Sequence, residues 1–341
     1  MKKDLISIVM PVFRPNISYF KVALDSILNQ IYDNIELIIV EDEPDNRCKQ
    51  ILDNLNNNIL YIGNKERQGI AKCLNIGIQN SKGKYIARMD ADDFSLPDRL
   101  LKQYEYMEKH PEVGVCGAWS LNVLNGKVIY KDNLSKSRRY VKNIFSNEGL
   151  LHPTVMFRKD FLKDNGLLYD ESYKMAEDYD LWVRCNSKGS LYTIPDVLLI
   201  TRIHEGQVSV SAHEKEKYYI NKIKLSLLSC FNSISNEEKE SFVTSFSCND
   251  EILSIIKKMR KENNKNEYFN KYFLSGELGV KWILGSENCG LVKKILSCPI
   301  PLAIWFSYFG YASLARTYYQ LRTNLFKFSS RYKFILRNYK I

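Results

Sequence analysis

No GxGxxG follows the first apolar run of this sequence, and GxxxxGK with a following Ser or Thr, HExxH and GxSxG are all missing. Each absence argues against a class: dinucleotide oxidoreductases, P-loop NTPases, zinc proteases and α/β-hydrolases. None of the eight cysteines forms a CxxC pair, and their spacing fits neither a zinc site nor a secreted disulfide framework. Several sit in apolar or helical runs, where a free thiol acts as a small hydrophobe, so a reducing cytosol is expected. A cleavable leader is not expected: the apolar run after Asp4 is short, Arg14 follows it, and it has no small-residue cleavage site. Residues 288–341 contain no Asp or Glu.

What is present is an ordinary globular balance, 45% hydrophobic and 26% charged, over 341 residues. That excludes a disordered chain, a collagen, a small disulfide scaffold and a multi-span membrane protein, and predicts two or three domains. The net charge of +10 is uneven: residues 251–341 carry 16 Lys or Arg against 5 Glu, a balance of +11, so the first 250 residues sum to −1. Residues 288–341 hold nine Lys or Arg and twelve aromatics, among them Trp305, Phe306, Tyr308, Phe309 and Tyr311. A basic, aromatic tail points to an anionic partner: membrane, nucleic acid or polyphosphate. Residues 295–315 carry no charge over 21 positions, the length of a bilayer span, but Pro299, Pro301 and Gly310 interrupt them. A span, an interfacial helix on anionic lipid and a helix packed on the rest of the chain all remain open.

Periodicity predicts strands at 5–13, 35–40, 59–62 and 84–89, with helices at 17–30 and 69–79 between them. A helix from Pro97 to His110 is expected next, then a hairpin of 113–123 with 128–130 turning at Asn125-Gly126. Further strands are expected at 154–157 and 191–202, with a helix at 176–186. Alternating strands and helices with near-continuous apolar strands predict a mostly parallel sheet covered on both faces. Ligands of such sheets bind beyond the carboxyl ends of the strands. After about residue 212 only helical patterns remain, at 213–231, 236–246, 251–261 and 267–281. The expected domains are 1–210, an α/β fold, and 211–341, a basic helical region.

Four clusters carry candidate chemistry. Asp90-Ala91-Asp92-Asp93 follows a strand, where carboxylates hold a hard divalent cation or cap a polar turn. A calcium loop is excluded, because Ser95 and Leu101 stand where Gly and Glu are required. Asp42 ends the second strand, where a carboxylate can accept from a base or ribose, or serve the turn. Glu177-Asp178 opens a helix, as a cap or as a general base for an attacking hydroxyl. His204 could ligate a metal, contact a diphosphate, or lie on a surface loop; His152 before Pro153 could orient a turn.

In order along residues 4–210, these segments resemble family 2 of the inverting glycosyltransferases, which have the GT-A fold. The motifs are Ser7-Ile8-Val9-Met10-Pro11-Val12-Phe13, Ser26-Ile27-Leu28-Asn29-Gln30, and Glu36-Leu37-Ile38-Ile39-Val40-Glu41-Asp42. Further along come Tyr85-Ile86-Ala87-Arg88-Met89-Asp90-Ala91-Asp92-Asp93, His152-Pro153-Thr154 and Glu177-Asp178-Tyr179-Asp180-Leu181-Trp182. Arg202, His204, Gln207 and Ser209 match the closing motif. The capsule and O-antigen members are the most similar. By that resemblance Asp178 is the general base, and Pro11, Phe13, Asp42, Arg67, Asp90 and Asp92 bind the nucleotide-sugar. Asp92 and His204 contact Mn or Mg. Phe13 stands where the family has Tyr, and Glu43-Pro44 where it has Gly-Ser. The resemblance implies transfer of a hexose or N-acetylhexosamine from a UDP-linked donor to a sugar on undecaprenyl-diphosphate. The setting implied is the cytoplasmic face of an anionic inner membrane. A sugar-nucleotide nucleotidyltransferase is the alternative enzyme, although the loop Pro11-Val12-Phe13-Arg14-Pro15 lacks that class's glycine-rich turn. A nucleic-acid-binding protein using the basic tail is the alternative outside enzymes.

Overall fold

A computed structural model describes residues 3–44, 47–55, 58–132, 149–188, 190–204, 213–244 and 250–267. The chain divides into two compact units, the second containing residues 149, 214–244 and 250–267 of those described. The expectations for 267–281, for the uncharged run 295–315 and for Gln207 and Ser209 concern residues outside this set, except Glu267 itself.

The first unit is built on β1 (Ile6–Val12), α1 (Ile17–Leu28), β2 (Ile35–Glu41), α2 (Arg47–Leu52), β3 (Ile59–Gly63), α3 (Ile70–Asn80) and β4 (Tyr85–Arg88). The four strands are parallel in the order β3-β2-β1-β4. All seven residues of β1 are buried, because helices cover both faces. Ile6, Ile8, Met10 and Val12 pack with Phe20, Ala23, Leu24 and Ile27 of α1, while Ile38 and Val40 pack with Cys73 of α3. Asn16 starts α1 by accepting from the amides of Ser18 and Tyr19. Gly77 lets α3 lie directly on β1: a Cβ there would come within 2.2 Å of Val9 Cγ1.

Beyond β4 come β5 (Phe94–Ser95), α4 (Arg99–Lys109), β6 (Val113–Leu124), β7 (Lys127–Asp132), β8 (Met156–Arg158), α5 (Lys159–Asp164), α6 (Glu177–Asn186) and β9 (Ser190–Arg202). Here the sheet becomes mixed. β8 wedges antiparallel between β4 and β6, β9 runs parallel to β6, and β5 pairs antiparallel with β9. The expected hairpin forms, with left-handed Asn125 (φ 47) and Gly126 (φ 75) at its turn.

Two local expectations shift, and three short elements were not expected. The strand expected from Thr154 starts at Met156, because His152–Thr154 is a 3-10 turn whose Thr154 hydroxyl donates to the Leu151 carbonyl. Pro97 precedes α4 rather than opening it. The six-residue α2 and α5, and two-residue β5, were too short to show a period.

The second unit has helices His213–Leu228 (its first residue excepted), Asn236–Thr244 and Asp250–Asn266. Their core gathers Leu228, Phe231, Ile234, Phe242, Ile252, Ile255, Ile256 and Met259. Among the described residues no helix is long and apolar enough to cross a membrane.

Candidate active site

The chain leaves β4 into an acidic turn. Asp90, Asp92 and Asp93 each offer a carboxylate oxygen within 4.8 Å of the others. The turn is clamped from two sides. Arg88, buried at the end of β4, forms an ion pair with Asp90. From the end of β9, the Arg202 amide donates to Asp93 Oδ1 (3.1 Å) and its Nε to the Asp92 carbonyl (3.1 Å). Two residues on, His204 Nε2 lies 2.9 Å from Asp92 Oδ2. Tyr19 of α1 completes the enclosure, with its ring 5.4 Å from that of His204 and 4.2 Å from the Arg202 guanidinium.

The electrostatics favour a cation at this turn. Burial, then the charges of Asp92 and Asp90, push the Asp93 carboxyl well above the usual carboxylate range. Burial also raises Asp90, although the Arg88 charge opposes it. Asp93 Oδ2 is buried and accepts no hydrogen bond. Crowded carboxylates, an orphaned buried oxygen and an imidazole on Asp92 form a donor set that fits Mn or Mg.

A second acidic cluster opens α6. Asp178 Oδ1 accepts from the Tyr179 amide (2.7 Å), and its Oδ2 faces His152 Nδ1 at 4.0 Å. About a third of the Asp178 side chain is exposed. Its neighbour Glu177 is buried, and its Oε2 has no hydrogen-bond partner. Burial, then the Asp178 charge, pushes Glu177 up to about 7. The Arg88 charge acts on Glu177, His152 and Tyr169 as well as on Asp90, so one buried cation links the two acidic clusters.

Glu177 has a testable consequence for stability. Folding raises its affinity for a proton above the unfolded value of 4.5. Its favourable contribution is therefore complete below pH 4.5 and is lost as pH rises through about 7. Glu177→Gln should make the chain more stable at pH 8 by about 1–3 kcal/mol, with the gap closing toward pH 5. Urea unfolding at both pH values measures it, and a gap independent of pH would contradict the assignment.

The remaining sites expected from sequence lie at the ends of β1 and β2. Phe13 stands 38% exposed just past β1, with the Arg67 guanidinium 4.4 Å from its ring centre and that of Arg14 at 5.2 Å. Pro11 is buried within β1 opposite Val40 and so lies beneath this edge. Asp42 is 4% exposed. Its Oδ1 accepts from the Gln68 amide (2.7 Å) and Asn64 Nδ2 (3.2 Å), and its Oδ2 from the Gly69 amide (2.8 Å). Asp42 thus fixes the turn that carries Arg67 over Phe13. Glu43 adopts a left-handed φ of 64 and pairs at 2.9 Å with Arg14, whose φ is 41.

Asp93, Arg88 and Arg202 were read from sequence only as members of their motifs, with no role of their own, and Tyr19 and Tyr169 were not singled out. Arg88 and Arg202 could have been noticed, because each stands within two residues of a candidate ligand. Tyr19 and Tyr169 reach the site only through folding, and no local pattern marks them.

Residues 7–166 match the sequence profile described as "Glycosyl transferase family 2". An uncharacterized glycosyltransferase of Methanocaldococcus jannaschii is 32% identical over 227 residues, covering 64% of this chain and 78% of that protein. The O-antigen biosynthesis glycosyltransferase WbnJ of Escherichia coli is 35% identical over 218 residues, covering 61% and 84%. Among solved structures, S. aureus TarS residues 1–349 in complex with UDP-GlcNAc superposes with a TM-score of 0.56 at 18% identity. That superposition covers 86% of this chain and 81% of the TarS chain, and it carries the GT-A-like fold alone. With a matching family profile and relatives above 30% identity covered over more than two thirds of their length, this chain belongs to glycosyl transferase family 2.

Proposed function

We propose that the chain is an inverting, divalent-cation-dependent hexosyltransferase. It moves a hexose or N-acetylhexosamine from a UDP-linked donor to a sugar carried on undecaprenyl-diphosphate, in O-antigen or capsule synthesis. The observation that carries this reading is the contact of Asp92 with His204 inside a three-carboxylate turn, with a separate, part-exposed carboxylate at Asp178.

Asp92 and His204 would hold Mn or Mg, with Asp90 and Asp93 supplying further negative charge. When bound, such a cation neutralises the diphosphate of the leaving nucleotide. Asp178 takes the proton of the attacking acceptor hydroxyl. With a stabilised leaving group on one face of the sugar and one base on the other, a single displacement inverts the anomeric centre. Arg67 over Phe13 offers a flat aromatic and cationic surface for the nucleotide.

The donor and acceptor classes rest on similarity. TarS is described in complex with UDP-GlcNAc, and WbnJ is an O-antigen biosynthesis enzyme. The basic, aromatic sequence of 288–341 supports docking at an anionic membrane on its cytoplasmic face, where a lipid-linked acceptor is met.

The test is nucleotide release from a panel of UDP-, GDP- and dTDP-sugars, with Mn and a lipid-diphosphate-GlcNAc or -GalNAc analogue. Acceptor-dependent release from one UDP-sugar is the expected result. Release confined to GDP-sugars would overturn the donor assignment, and release that needs no sugar acceptor would overturn the transfer reading.

A further inference from the structure

We propose that His152 is a positioning residue that holds the Asp178 carboxylate through an Nδ1–H donor, in a tautomer set by Tyr169. The inference rests on Asp178 being the general base. Its observations are independent of that assignment.

His152 opens the 3-10 turn that precedes β8, and only 11% of its side chain is exposed. Its two ring nitrogens face different partners. Nε2 lies 2.8 Å from the Tyr169 hydroxyl, and Nδ1 lies 4.0 Å from Asp178 Oδ2. The ring is fixed by packing: Trp182 meets it edge-on at 5.9 Å, and Phe157 stacks on Trp182. Tyr169 is equally constrained. Its backbone exchanges two 2.9 Å hydrogen bonds with the buried side chain of Asn75 on α3.

Two tautomers of a neutral imidazole are available. With the proton on Nε2, the Nδ1 lone pair would face a carboxylate oxygen, which is repulsive. With the proton on Nδ1, the Tyr169 hydroxyl donates to Nε2 and Nδ1–H points at Asp178 Oδ2. Only the second arrangement suits both neighbours. The Tyr179 amide already holds Oδ1, so a donor on Oδ2 would fix the plane of the carboxylate and leave lone pairs for an acceptor hydroxyl. The 4.0 Å separation is long for a hydrogen bond, as catalytic contacts often are before substrate closes the site.

The surroundings keep the ring a neutral donor. The charged and titratable groups around it are Arg88 from β4, Tyr169 from the segment after α5, and Glu177 and Asp178 from α6. Burial, then the Arg88 charge, holds His152 well below the usual imidazole range. Burial holds the Tyr169 phenol well above its own range, so its O–H persists.

Two measurements on the full chain test the proposal. The first needs no substrate: 15N spectra of histidine-labelled protein at neutral pH, with the His152 signals assigned by their loss in His152→Gln. A neutral ring protonated on Nδ1 is expected. A ring protonated on Nε2, or on both nitrogens, overturns the proposal. The second uses the UDP-sugar that the donor panel identifies and a lipid-diphosphate-GlcNAc analogue. An Asn amide can occupy the place of Nδ1, whereas a Gln amide reaches only that of Nε2. His152→Gln should lower kcat by about 10- to 100-fold, the equivalent of a hydrogen bond to a charged group, with donor KM nearly unchanged. His152→Asn should restore most of that loss. Equal losses in both variants, or no loss in Gln, would overturn the positioning role. Retained activity in Asp178→Asn would instead overturn the base assignment, so the two failures are distinguishable.

Discussion

Replacing Asp178 with Asn is expected to lower kcat by about 100- to 10,000-fold, the usual contribution of a positioned general base, while donor KM stays within about threefold. The substitution is close to isosteric. An Asn carbonyl oxygen can still accept from the Tyr179 amide. On the proposed mechanism, what is lost is the ability to take a proton from the acceptor hydroxyl as it attacks. Glu177 cannot replace it, because that side chain is 7% exposed whereas a third of Asp178 is open. The measurement is steady-state nucleotide release with saturating acceptor, at fixed pH and Mn. A loss smaller than about tenfold would mean that proton removal is not a kinetic burden on Asp178. A loss lying wholly in KM would assign it to binding instead.

The parallel half of the fold was legible because β1, β2 and β4 are buried on both faces and so read as unbroken apolar runs. α1 was legible because Phe20, Ala23, Leu24 and Ile27 recur on one face above that sheet. Strand direction was not legible. β8 has three residues, and nothing in Met156-Phe157-Arg158 states that it runs against β4; its place is set by pairing on both sides. The turn at Asn125-Gly126 was readable because those residue types tolerate left-handed backbone. Glu43 and Arg14 gave no such signal. Both adopt left-handed backbone and meet in an exposed ion pair, a pairing that no local propensity encodes.

The candidate site divides the same way. Asp92 and His204 are 112 positions apart, and their segments were recognisable by motif. Their 2.9 Å contact follows from β9 ending beside the turn after β4, where Arg202 bonds to both Asp92 and Asp93. Asp42 was marked by its motif, but its contacts were not: its carboxylate accepts from the amides of Gln68 and Gly69 and from Asn64, which the sequence places more than twenty positions away. His152 was noted as the residue before Pro153 and as part of a motif, with no link to Asp178. Its link to Asp178 depends on Tyr169 and Trp182, which come from two later segments.

The second large effect is expected at Asp92. Asp92→Ala should lower kcat/KM by about 100- to 10,000-fold, corresponding to several kcal/mol of lost charge stabilisation on the leaving diphosphate. It should also make UDP affinity insensitive to Mn. Three carboxylates within 4.8 Å repel one another, and Arg88 forms its ion pair with Asp90. Deleting Asp92 relieves that repulsion, so the folded chain should not be destabilised in proportion to the activity lost. This separates a ligand from a structural carboxylate, whose removal would lower stability and activity together. Calorimetric titration of UDP into wild type and Asp92→Ala, each with Mn and with EDTA, gives the binding half of the test. Thermal unfolding of both proteins in EDTA gives the stability half. In wild type, chelation should weaken UDP binding, and in the variant it should change nothing. His204→Ala should fall between the two, because Asp92 and the neighbouring carboxylates remain. Wild-type UDP binding and turnover that ignore EDTA would remove the cation from the mechanism. The acidic turn would then be a scaffold held by Arg88 and Arg202, and the charge on the leaving diphosphate would have to be met by cationic side chains such as Arg67.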